Sequence, residues 1–321
     1  MQTSGKLADP RGIRRLICPH CGIIAVVAIF VCLATFDNFV TPPFEAGDEH
    51  QHYAYARYLV REHALPPQDG TITGFGPEHE ASQPPLYYVL AALATWQMDD
   101  ADQVEGALYR NPHFAFVSPG EWPDNKNTWL RSPSVGEISQ DFLRAVHMAR
   151  GVSTLLGAVA IVGVYGLALM VFDGDAFWAT IASAWLAFNP QFAFISGVVS
   201  NDSTAAALAT LVLWVTCAWM IRGPNPRRAA SWGVLTGLAV LTKASVLGIV
   251  PVCIIGFFAG VRRLRAKHVV GYAGVVAGLT VLIGGWWYVR NAVLLGDPAS
   301  LRRGRRTACL RRRMDVGQVV L

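Results

Sequence analysis

The chain has 321 residues, 53% of them hydrophobic and only 15% charged, with a mean hydropathy of +0.35. A soluble globular chain carries about a quarter charged residues, so an apolar excess gathered into long uncharged runs argues against the soluble class and for a bilayer-spanning protein. The formal net charge of +5 lies in short clusters beside those runs. It forms no stripe with interleaved aromatics, so membrane topology explains it better than a nucleic-acid partner does.

Residues 1–15 carry Lys6, Arg11, Arg14 and Arg15 and read as a cytoplasmic N-terminus; residues 16–36 hold no charge and read as the first transmembrane helix. The run is too long for the apolar part of a cleaved signal peptide, and no small-x-small cleavage site follows. Cys18-Pro19-His20-Cys21 has the letters of a thioredoxin-fold oxidant's active site. That chemistry needs its first cysteine at a helix start in a βα context, whereas here the four residues lead into a membrane helix. Cys32, Cys217 and Cys253 sit within apolar runs as small hydrophobes.

From 37 to 142 the chain is polar and reads as one long extracytoplasmic loop. It opens with Pro42-Pro43-Phe44-Glu45-Ala46-Gly47-Asp48-Glu49, followed by an amphipathic segment from Tyr53 to Val60. Two readings of Asp48 and Glu49 stand side by side. A carboxyl close to the membrane is partly desolvated, which raises its pKa and suits it to general-base work; alternatively, the pair simply favours a helix start, where the dipole welcomes acids. His50 and His52 raise a divalent-metal reading. Asp48 and His52 share a helical face while His50 points elsewhere, so solvated loop histidines are the better reading.

Gln83-Pro84-Pro85-Leu86-Tyr87-Tyr88 is a helix-start signal, because two prolines fit only the first turn. The apolar island it opens, Pro85 to Met98, would reach about 21 Å as a helix, short of a roughly 30 Å bilayer core. It reads as an interfacial helix with Tyr87, Tyr88 and Trp96 at headgroup level.

Residues 143–298 read as a six-helix transmembrane region. Gly151–Phe172, Ala176–Ser200, Ser203–Ile221 and Val269–Val289 are charge-free. Ala229–Val261 is interrupted by Lys243 alone and reads as two short helices meeting there. With the first helix this gives about seven spans, an all-α polytopic bundle. The basic residues Arg222, Arg227, Arg228, Arg262, Arg263, Arg265 and Lys267 fall on the connections that this count leaves inside, as the positive-inside rule requires. The tail, 299–321, breaks the rule: it should lie outside, yet 301–313 carry seven arginines. Either the last span is misassigned or the tail is not native, as in a truncated or frameshifted reading; truncation is the expectation taken here.

Lys243 is an intramembrane charge and thus a functional candidate by default; it equally marks the turn between two helices. Arg144, Arg150 and Arg290 stand at outer helix ends, where arginines either snorkel to headgroups or, converging, hold a phosphate.

In this order and on these sides of the membrane, the pieces resemble the GT-C membrane glycosyltransferases. They are closest to the lipid-phosphate-sugar-dependent branch of protein mannosyltransferases and aminoarabinose transferases. The resemblance runs from about Phe44 to Pro298 and includes Asn189-Pro190, Asn201-Asp202 and Trp286-Trp287-Tyr288-Val289-Arg290-Asn291. It implies transfer of a sugar from a polyprenyl-phosphate carrier to an acceptor glycan, lipid or protein on the outer face of the cell membrane, with inversion. Asp48 would be the base and Glu49 its assistant. Arg150, Lys243 and Arg290 would stabilise the leaving phosphate, joined by Gln83 where relatives carry Lys or His. No cofactor is implied with certainty, and a divalent metal stays open. A flippase of lipid-linked saccharide and an inactive membrane fragment are the alternatives; the chain has no internal repeat of the kind transporters show.

Overall fold

The computed structural model describes residues 20–68, 72, 75–98, 108–111, 129–131 and 139–299. The N-terminus 1–15, Cys18-Pro19 and the arginine-rich tail from 301 lie outside the described residues. Among the described residues the fold is helical apart from a three-residue antiparallel ladder in the long loop, Leu108–Arg110 against Trp129–Arg131. Among the described residues, five segments are long and apolar enough to cross a membrane: Cys21–Val40, Gln140–Val171, Asp202–Arg222, Ala244–Val261 and Ala266–Leu295.

The first helix, α1 (Cys21–Val40), runs four residues past the expected end at Phe36. Asn38 can lie inside it because its amide is buried against α4 (Gln140–Val171), pairing with His147 Nδ1 at 2.7 Å and donating to the His147 carbonyl at 3.2 Å. The long loop then folds α2 (Glu49–Glu62) against a 3-10 turn (Glu78–Ser82) and against α3 (Leu86–Thr95), and α3 packs on α4. Ser139 caps α4 through its hydroxyl and starts it eleven residues ahead of the uncharged run at Gly151.

The stretch expected as one third span is broken. α5 (Ala176–Ala187) ends before Asn189-Pro190, and Asn189 Oδ1 caps α6 (Pro190–Ser196) by accepting from the Gln191 and Phe192 amides. Proline at a first turn after an Asn cap is a helix start, not a mid-helix kink. α7 (Asp202–Arg222) follows the expected bounds. The stretch around Lys243 is two helices as read, α8 (Pro226–Val240) and α9 (Val250–Val261), joined through a 3-10 turn at Ala244–Ile249. α10 (Ala266–Thr280) passes through a π-turn at Val281–Gly285 into α11 (Trp286–Leu295).

α4 is central, with α1, α5 and α7 around it; α7 in turn carries α8 and α9, and α8 packs on α10. Glycine permits one of the closest approaches. A Cβ on Gly157 would stand 2.6 Å from Ser196 Oγ and 2.7 Å from Phe30 Cζ, both on fully buried residues. Gly157→Val is therefore expected to cost about 1–3 kcal/mol through overpacking. A thermal-shift assay on the detergent-purified protein checks this, with Gly151→Ala, where nothing lies within 4 Å, as the unchanged comparison.

Candidate functional site

The two adjacent carboxyls have opposite fates. Glu49 is fully buried and forms a two-pronged ion pair with Arg150, Nε to Oε1 at 2.6 Å and Nη2 to Oε2 at 2.7 Å. Its two remaining acceptor positions take the backbone amides of Val199 (2.9 Å) and Phe44 (3.0 Å). Arg150 gives its other three N–H groups to the carbonyls of Asn38, Thr41 and Pro42. Every polar position of this buried pair is thus filled. It pins the end of α1, the start of α2, the middle of α4 and the turn before α7 to one another. Glu49 and Arg150 are framework residues. Arg150 has no N–H left for a phosphate, which removes it from the expected cation set.

That framework fixes Asp48, the N-cap residue of α2. Its backbone carbonyl accepts from the Gln51 and His52 amides, while its carboxylate makes no capping bond and its side chain is 59% exposed. Desolvation, the premise of the general-base argument from sequence, falls on Glu49 and not on Asp48.

Asp48, His52 and Tyr55 lie at i, i+4 and i+7 and so share one face of α2. Tyr55 stacks on Tyr88 with ring centroids 3.9 Å apart, and the Tyr88 hydroxyl is a junction. It donates to Glu80 Oε2 at 2.9 Å, meets His52 Nδ1 at 2.9 Å and accepts from Asn201 Nδ2 at 3.3 Å. Tyr87 and Tyr88 are fully buried, so of the three aromatics expected at headgroup level only Trp96, 65% exposed, is outward. Burial drives the His52 pKa down, against the pull of Glu80. Burial would push Glu80 up, but His52, His79 and the Tyr88 hydroxyl outweigh it and hold the carboxyl below its usual range. His79 is raised by its hydrogen bond to Glu80.

The charges of Lys243 and Arg290 bear on the same face of α2, at His52 and Tyr55. The Leu86 amide donates to the Leu241 carbonyl at 3.0 Å, which docks the Pro84-Pro85-Leu86 helix start onto the turn that carries Lys243. Lys243 Nζ pairs with Asp202 Oδ1 at 2.5 Å, so this charge is not solitary, and both act on His52 together with Asp48. Arg290 stands over the Trp287 ring at 5.4 Å, reaches Asn291 Oδ1 at 3.1 Å, and its charge acts on the Tyr55 hydroxyl. Gln83 gives its backbone carbonyl to Tyr55 Oη at 3.4 Å, while its side-chain oxygen is buried with no hydrogen-bond partner. Compared with known proteins, the chain matches no family model and no curated sequence.

Of the expected residues, Asp48 is exposed on α2, the Lys243 charge bears on His52 and the Arg290 charge on Tyr55 of the same face, and Gln83 meets Tyr55 through its backbone, while Glu49 and Arg150 are buried together. His50 is buried, with its ring 6.3 Å from Phe75; His52 belongs to the Tyr88 network. Among the described residues, the metal-ligating atoms that cluster in threes belong to Asp48, His79 and Glu80, not to His50. Sequence reading missed His79 and Glu80, which lie some thirty positions from Asp48 in the chain; Glu78-His79-Glu80 just ahead of the Pro-Pro turn was the available signal.

Proposed function

We propose that the chain is a membrane glycosyltransferase that moves a sugar from a polyprenyl-phosphate carrier to an acceptor hydroxyl on the extracytoplasmic side of the cell membrane. The observation that carries this reading is the face of α2, where an exposed carboxyl on a rigid mount, Asp48, stands in one electrostatic neighbourhood with Lys243. The orientation rests on the course of the helices. α7 runs from Asp202 at the site to Arg222, and α8 returns from the Arg222–Arg228 turn to the site. The basic connection thus lies at the opposite end from Asp48, which supports a site outside and an N-terminus inside. The seven-span count belongs to the same proposal, with the broken α5–α6 pair and the short α8 as its two additional crossings.

In the reaction, Asp48 accepts the proton of the acceptor hydroxyl as its oxygen attacks the anomeric carbon. The new C–O bond forms on the face opposite the old one, so configuration inverts. The bond from the anomeric carbon to the phosphate oxygen breaks, and its electron pair leaves with the polyprenyl phosphate. Lys243 and Arg290 stabilise that developing charge; Asp202 holds Lys243 in place. Gln83 adds only an amide where the transferases this chain resembles carry Lys or His.

The test is a transfer assay with radiolabelled polyprenyl-phosphate sugar on purified protein. Lys243→Met is expected to slow transfer by roughly 10²-fold or more with the acceptor KM unchanged. Binding of the labelled lipid without any transfer by the unaltered chain would favour the flippase reading instead.

A further inference from the structure

Asp48, His79 and Glu80 set three metal-ligating atoms within 4.8 Å of one another. His79 Nε2 is 3.1 Å from Glu80 Oε1 and 3.9 Å from Asp48 Oδ2. Ligand atoms held at about 2.1 Å from a divalent ion stand about 3–3.5 Å apart. The cluster needs about 1–2 Å of closure at its widest pair, and the Asp48 and His79 side chains, 59% and 41% exposed, can supply it. A hydrogen bond between His79 and Glu80 explains one pair of the three. It does not explain Asp48 Oδ2, which sits beyond hydrogen-bond length from His79.

Glu80 is already prepared as a ligand. Its side chain is 8% exposed, and Oε2 is occupied by the Tyr88 hydroxyl at 2.9 Å with His52 Nδ1 at 3.5 Å. Oε1 is the oxygen that remains facing His79. Anchoring one carboxylate oxygen through outer donors while presenting the other is the way an outer shell orients a metal ligand. Tyr88 is itself held by Asn201 and by the stack on Tyr55, so the anchor is part of the packed framework.

We propose that Asp48, His79 and Glu80 bind one divalent cation of the Zn2+ or Mn2+ class. An imidazole with two carboxylates suits these ions; soft ions call for thiolate, and Ca2+ and Mg2+ favour all-oxygen shells. Three protein ligands at a half-exposed position leave coordination sites open to water or to a substrate oxygen. The site goes beyond the transferase reading and requires only these three side chains.

The test is calorimetric titration of the untagged, chelator-treated full chain in detergent with Zn2+ and with Mn2+, and Mn2+ electron paramagnetic resonance as a second readout. One ion per chain is expected. His79→Ala and Glu80→Gln should each weaken binding by at least about tenfold, and Asp48→Asn should weaken it too, while His63→Ala leaves it unchanged. His79→Gln separates ligation from structure: it keeps a hydrogen-bond donor for Glu80 yet should lose the ion while melting like the unaltered protein. Absence of saturable binding below millimolar metal, or unaltered affinity in both His79 variants, overturns the site. Binding is read without turnover, so a chain that takes the ion and transfers no sugar sinks the transferase reading and leaves this site standing.

Discussion

Asp48→Asn is expected to lower sugar transfer by about 10²- to 10⁴-fold, the usual contribution of a positioned acid or base, while the protein stays folded. The side chain is 59% exposed, makes no capping bond, and lies 3.9 Å from His79 across a partly open surface. An isosteric amide there creates no cavity and buries no unpaired charge. Initial rates at saturating labelled donor, alongside size-exclusion profile and melting temperature, check both halves. Because neighbouring Glu49 has the same chemistry and the opposite environment, its variant serves as the internal contrast.

Arg150→Met is expected to leave little or no monodisperse protein. Removing one partner of a buried ion pair costs about 3–5 kcal/mol, since the other charge is stranded. Here the loss spreads further, because three carbonyls, those of Asn38, Thr41 and Pro42, lose their donors together, each at about 1–3 kcal/mol. Many buried pairs can be replaced together by apolar residues at little cost. The double variant Glu49→Leu/Arg150→Met should fail as well, since the Phe44 and Val199 amides and the three carbonyls would still be orphaned. Fluorescence-detected size exclusion of the two variants beside Asp48→Asn measures this directly; full recovery of the double variant would show that the pair is dispensable to the frame.

Helix existence and order were legible from uncharged runs and from the prolines, because apolar length and missing N–H donors act locally. The Pro84-Pro85 start of α3 and the break at Lys243 fell where those rules put them, whereas the end of α5 and the Asn189 cap that starts α6 fell inside a stretch whose uncharged length reads as one span. Ends set by distant partners were not legible. α1 continues through Asn38 only because His147, 109 positions later, satisfies it. The roles of the acidic pair were equally hidden. Asp48 and Glu49 are adjacent letters, and what divides them is the turn of α2, which sends Glu49 towards Arg150 and Val199 and Asp48 outward. The charge of Arg150 looked available for phosphate until its five N–H groups were accounted for. Lys243 looked solitary, and only the docking of Leu86 on Leu241 and the pairing with Asp202 placed it at the starts of α3 and α7, where its charge bears on His52.

The account turns on an exposed carboxyl, mounted on a buried ion pair, taking a proton from an acceptor while cations receive the leaving phosphate. Its most direct test is one transfer experiment on the unaltered chain and Asp48→Asn, purified side by side and given the same labelled polyprenyl-phosphate sugar. The account predicts labelled acceptor of inverted configuration from the first, and a folded, equally stable second protein at least 10²-fold slower. No product from the unaltered chain, or equal rates from the two, would contradict it.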